Sequence, residues 1–251
     1  MEWYMILALI GTGLAAGFIN TNAGGGSILT LPLLMFLGLP ANVANGTNRV
    51  AILLQNVIGV NTFRQKKVLD IKKDYRLAIP AVAGSVIGAL FAAEINVVML
   101  EDIIAGLMVL MLFLVLLKPN AWVQQKAGEV NAKPSVLQYV IFFGIGLYGG
   151  FIQMGVGFFL LAGLVLGSGY DLVKANAVKV FIVLIYTVFS LGIFIWHQQV
   201  DIVAGLILAA GNMAGAWLGV HFSVKGGAKY VRYVLILALV IVILNLFGIF
   251  G

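Results

Sequence analysis

A chain of 251 residues with 62% hydrophobic and 10% charged side chains, and a mean hydropathy of +1.10, cannot clothe itself for water, where a domain carries about a quarter charged residues. The absence of cysteine excludes disulfides, thiol nucleophiles, thiolate metal sites and iron–sulfur clusters. The net charge of +6 comes from basic residues in short loops between apolar runs, which reads as topology charge and not as a nucleic-acid surface.

Taken in chain order, the first apolar run follows Glu2 with no basic stretch before it and no cleavage site after it, so it is expected to stay as a helix. Apolar runs in the first half cover 3–19, 24–38, 43–63, 77–93 and 98–117; those in the second cover 137–152, 156–170, 173–195, 202–222 and 230–250. A helix needs about 20 apolar residues to cross the hydrocarbon core, and the third to fifth runs of each half meet or approach that length. The first two are shorter and are joined through Gly24-Gly25-Gly26 and Gly155-Val156-Gly157. They are either tightly turned spans or half-helices meeting inside the membrane. The chain thus divides into a first transmembrane repeat, 1–117, a cytoplasmic linker, 118–136, and a second repeat, 137–251.

The halves resemble each other. Gly17-Phe18-Ile19-Asn20 recurs as Gly150-Phe151-Ile152-Gln153, Ala44-Asn45-Gly46 as Ala175-Asn176-Ala177, and Ala83-Gly84 with Gly88 as Ala214-Gly215 with Gly219, always 131 to 133 residues apart. A repeat in constant order indicates an internal duplication. The loop 64–76 carries Arg64, Lys66, Lys67, Lys72, Lys73 and Arg76, whereas its counterpart 197–201 carries no Lys or Arg. By the positive-inside rule the first is cytoplasmic and the second is outside. The expected fold is therefore an all-α polytopic membrane protein of two inverted repeats, about five helical segments each, with a glycine-broken first helix pair in each and both termini outside. Inverted repeats meeting around discontinuous helices are a recurring transporter design.

The polar residues fall where a solute could reach them. Asn20, Gly24, Gly25 and Gly26 interrupt the first helix pair, and Gln153, Gly155 and Gly157 the second. Non-helical backbone at membrane depth is tolerated only inside protein or against a water-filled cavity; a tight turn at the surface is the plainer alternative. On the third run of the first half, Asn45, Asn48, Arg49, Gln55 and Asn56 share one helical face beside Thr47; on its counterpart Asn176, Lys179, Tyr186 and Ser190 do the same. A charge on a spanning helix is a functional-site candidate, and the alternative is that Arg49 and Lys179 snorkel to opposite surfaces. Gly84, Gly88, Gly215 and Gly219 read as helix-packing positions. The acids Glu94, Glu101, Asp102, Asp171 and Asp201 all lie at run ends, which argues against a buried carboxylate proton relay.

The glycine run, then Leu31-Pro32-Leu33-Leu34, Leu37-Gly38-Leu39-Pro40 and Ala44-Asn45-Gly46-Thr47-Asn48, resemble the first repeat of the TauE/SafE-type sulfite exporter family. The second repeat departs from that pattern, with Ala177-Val178 in place of Gly-Thr and only Gly155 and Gly157 left of the triple glycine. The resemblance implies a permease of the cell membrane, not an enzyme, for sulfite, a sulfonate, thiosulfate or a related small anion. The expected binding residues are Arg49, Lys179, Asn45, Asn48, Thr47, Asn176, Asn20, Gly24, Gly25, Gly26, Gln153, Gly155, Gly157, Gln55 and Tyr186, with no cofactor and no metal. An anion channel and an uptake permease for another small organic anion are the competing readings. Coupling to sodium, to a proton or to no ion stays open, as does assembly into a homodimer.

Overall fold

The computed structural model describes residues 2–117 and 134–246; the side chains of 73–74, 108–117 and 227–246 are outside the description. The predicted linker therefore falls outside it as far as residue 133. Among the described residues the chain is helical with no strand, in the order α1 (Trp3–Asn22), α2 (Ser27–Phe36), α3 (Ala41–Gln65), the short α4 (Ile71–Asp74), α5 (Ala78–Glu94), α6 (Val97–Leu117), α7 (Val136–Phe151), α8 (Val156–Ala162), α9 (Leu172–Trp196) and α10 (Ile202–Leu246). Four stretches, Trp3–Asn22, Tyr75–Glu94, Leu172–Trp196 and Ile202–Gly226, are long and apolar enough to cross a membrane. α2, at 10 residues, reaches only about 15 Å at 1.5 Å per residue and crosses nothing alone.

Local chemistry sets the ends. Ser135 and Gln138 form a reciprocal cap at the start of α7, with the Ser135 hydroxyl accepting from the Gln138 N–H and the Gln138 side chain accepting from the Ser135 N–H. Asp171 accepts from the N–H groups of Val173 and Lys174 and so opens α9. One sequence expectation fails in register: the runs 202–222 and 230–250 are not separated, because the backbone continues as one helix from Ile202 to Leu246. Gly226-Gly227 between them weakens a helix by about 1 kcal/mol per residue but, with no proline, does not stop it.

A spacing of 131 residues recurs in the backbone. The left-handed residues pair across the halves as Gly24 with Gly155, Gly38 with Gly169, and Lys67 with Gln198, each pair 131 apart. α3 and α9 start and stop at the same interval. Packing follows this frame, with α1 on α10, α7 on α5, α3 against α10 and α9 against α5. Gly215 lies against the backbone of Leu14 and Phe18, as Gly84 does against Phe143 and Leu147, which is the close approach that small residues allow. Gly17 meets Asn212 while Gly146 meets Ala81. The similar strings at Gly17 and Gly150 therefore sit one helical turn out of structural register, and Gly146 is the true counterpart of Gly17.

α3 and α9 cross at the centre. Arg49, early in α3, reaches Ser190, late in α9, whereas Gly59, late in α3, faces Val180, early in α9. The two helices are antiparallel. This crossing, with the broken pairs α1–α2 and α7–α8 beside it, frames the polar interior.

Candidate functional site: a buried polar centre between two broken helix pairs

The breaks are interior features. Residues 21–28 and 152–157 are all buried, which removes the surface-turn alternative. Gly24, at φ 91°, is pressed against the backbone of Gly157, so that a side chain at either position would fall on the other's Cα. Only glycine reconciles that φ with that approach. Gly155, at φ 72°, turns the chain into α8. Gly25 packs under the Phe158 ring and Gly26 against the Ala16 carbonyl.

Neither basic residue snorkels. Arg49 is 0% and Lys179 2% exposed, and each extends into the other half of the chain. Arg49 Nη1 donates to the Gly149 carbonyl at 3.1 Å and the Ser190 hydroxyl at 3.0 Å; Nη2 donates to the Gly150 carbonyl at 2.6 Å and, at 3.4 Å each, to the Phe151 carbonyl and Asn45 Oδ1. The guanidinium lies 4.5 Å from the centre of the Phe194 ring, a cation–π contact. Lys179 Nζ donates to the carbonyls of Asn20 at 2.8 Å and Thr21 at 2.9 Å, and to Asn176 Oδ1 at 2.6 Å. Both cations thus sit on the last carbonyls of a broken helix, α7 for Arg49 and α1 for Lys179. There the helix leaves acceptors free and carries about half a unit of negative charge.

Amides complete the layer. Asn45 Nδ2 donates to the Phe151 carbonyl at 2.8 Å. Gln55 Oε1 accepts from Asn20 at 3.3 Å and from Asn212 at 3.2 Å, tying α1, α3 and α10. Gln153 Nε2 donates to the Thr187 hydroxyl at 3.0 Å and more weakly to Tyr186 at 3.4 Å. A cavity of about 10 Å³, lined by Asn20, Asn56, Gln153, Gly157 and Lys179 with Val156 and Val183, holds about one water. Gln153 Oε1, Asn176 Nδ2 and Arg49 Nε are buried without a partner. Such groups are costly when dry, so this layer has unspent capacity for a polar guest.

Two predicted residues lie elsewhere. Thr47 accepts from the Asp201 N–H at 2.8 Å and so supports the start of α10. Asn48 accepts from the Thr30 hydroxyl at 2.7 Å, bracing α2 on α3. The prediction also missed participants. Asn212 and Thr187 are buried polar residues on α10 and α9 that their position among apolar neighbours could have flagged. Phe194 has no sequence signature as a ring for Arg49.

Long apolar helices, two broken pairs meeting backbone to backbone and a buried polar centre with cations define a membrane transporter. The family of the sulfite exporter TauE/SafE matches residues 9–246, and the chain belongs to it. It is 27% identical over 241 residues to a protein of a Sinorhizobium species called probable membrane transporter protein ORF9, covering 94% of this chain and 90% of that one. It is 26% identical over 234 residues to a probable membrane transporter protein of Haemophilus influenzae, covering 91% and 89%. The probable membrane transporter protein YfcA of Escherichia coli K12 is 28% identical over 224 residues, covering 88% and 82%. No solved structure matches the chain.

Proposed function

We propose that the chain is a permease of the cell membrane that exports a small sulfur-containing anion such as sulfite, a sulfonate or thiosulfate, through two inverted repeats with both termini outside. The observation that carries this reading is the pair of buried cations on antiparallel α3 and α9, Arg49 and Lys179, of which Lys179 lines an amide-rich cavity. Cations at membrane depth are expensive, and they line solute pathways. The antiparallel crossing of α3 and α9 supports the inversion, because equivalent helices run in opposite directions.

In this reading Lys179, Asn20, Gln153 and Gly157 meet the anion at the cavity. Arg49, Asn45, Asn176, Gln55 and Tyr186 form the surrounding polar shell, and Gly24, Gly25, Gly26 and Gly155 let the backbone come close. Thr47 and Asn48 act at one remove, by holding α3 to its neighbours. Room for about one water means that a sulfur oxyanion enters only when the breaks part, which favours a gated carrier over an open channel. A cell interior that is negative by 100 mV drives a monovalent anion outward by about 2.3 kcal/mol, so export needs no carboxylate relay.

The test is a flux panel in proteoliposomes with sulfite, thiosulfate, sulfoacetate, sulfate and acetate. Saturable flux of the first three above acetate is expected. Acetate moving as fast as sulfite would overturn the sulfur-anion reading, and single-channel currents would overturn the carrier.

A further inference from the structure

The end of α1 and the end of α7 are built as the same oxygen cage. At α1 the carbonyls of Asn20 and Thr21 converge with Asn176 Oδ1. At α7 the carbonyls of Gly149, Gly150 and Phe151 converge with Asn45 Oδ1 and the Ser190 hydroxyl. The two asparagines are equivalent in the 131-residue frame. The carbonyl pairs are equivalent in the packing that matches Gly17 with Gly146. Neutral oxygens at the C-terminal end of a discontinuous helix, with no carboxylate among them, are the surroundings in which transporters hold an alkali cation. Here each cage is filled by a side chain from the opposite half.

We infer that Lys179 and Arg49 are tethered cations occupying two monovalent-cation sites, so that the protein moves its solute with no sodium ion bound at the broken helices. The ammonium of Lys179 is a compact point charge whose three donors meet three oxygens at 2.6–2.9 Å. It does what a bound sodium would do, neutralising the end of α1, and cannot leave. The inference rests on the reading of the chain as an anion permease only in one respect: an anion that moves against fixed cations requires no mobile one.

The cage can be probed without any anion flux, by thermal unfolding of the purified full chain in sodium chloride against choline chloride at equal ionic strength. The ordinary protein should show the same midpoint in both. Lys179→Ala empties the α1 cage. Its midpoint should fall, and should recover by about 3 °C or more in sodium or methylammonium chloride at roughly ten times the dissociation constant. Lys179→Met, which fills the space with an apolar group, should fall without recovering. A sodium-dependent midpoint in the ordinary protein overturns the inference, as does a folded Lys179→Ala indifferent to both cations. Should Lys179→Ala not fold in any of the salts, radioactive sodium binding to the ordinary protein decides: saturable binding at the cages refutes it and none supports it. Failure of the flux panel leaves this measurement intact, so the two readings fall separately.

Discussion

Removing the guanidinium of Arg49 tests the stability of the polar centre and the proposed transport together. Three of its hydrogen bonds, to Gly149, Gly150 and Ser190, are between 2.6 and 3.1 Å, and two at 3.4 Å are weak. Side-chain hydrogen bonds inside membranes average about 0.6 kcal/mol and reach about 1.7, so three charge-assisted ones contribute roughly 2–4 kcal/mol. The contact with Phe194 adds about 1. Arg49→Gln should therefore cost about 3–5 kcal/mol. For a chain of this size that lowers the unfolding midpoint by about 6–20 °C, because the carbonyls ending α7 lose their donors. Arg49→Lys keeps the charge but loses the fork and the ring contact, and should lose about half as much. If the same residue also attracts the solute, apparent affinity in Arg49→Gln should fall about 10- to 100-fold, the worth of one charge-assisted hydrogen bond. Thermal unfolding in nanodiscs, paired with concentration-dependent flux normalised to inserted protein, reads both. A midpoint within 2 °C and a transport constant within about twofold would refute the reasoning, since no buried clamp is so cheap to remove.

Two further outcomes follow from the fold. Single cysteines introduced into this cysteine-free chain should label from the cytoplasmic side at position 66 and from the outside at position 199; label reaching 66 from outside in intact cells sinks the proposed topology. Gly24→Ala and Gly157→Ala each place a methyl group on the partner's backbone and should abolish flux and lower the midpoint, whereas Gly11→Ala and Gly192→Ala, with nothing in the way, should leave both unchanged. Normal flux in Gly157→Ala would mean that the breaks do not need to touch.

Much of the architecture was legible because its signals are local. The runs 43–63 and 173–195 anticipate α3 and α9 to within two residues at each end, since a long apolar stretch bounded by Pro40 or Asp171 has few other solutions. The polar stripes on both helices were legible from helical spacing alone, and their residues are buried together. What Arg49 and Lys179 do there was not legible. Most of their partners are main-chain oxygens about a hundred or more residues away, and a carbonyl carries no residue identity. The contact of Gly24 with Gly157 is hidden for the same reason. The misplaced register at Gly17 has another cause: apolar helices tolerate a shift of one turn, because a four-residue slip returns nearly the same face, and only the packing against α10 and α5 distinguishes Gly146 from Gly150.

The frame that repeats at 131 residues is not matched by the charges set in it. Lys179 falls on the counterpart of Asn48, and Arg49 on that of Val180, so the two clamps come from neighbouring positions and differ in chemistry. Freeing the end of α1 breaks two hydrogen bonds to an ammonium, while freeing the end of α7 breaks three to a guanidinium. The two broken ends, alike in backbone, are thus held by side-chain pins of unequal strength. In the proposed transport cycle the end of α1 is therefore the one that parts more easily.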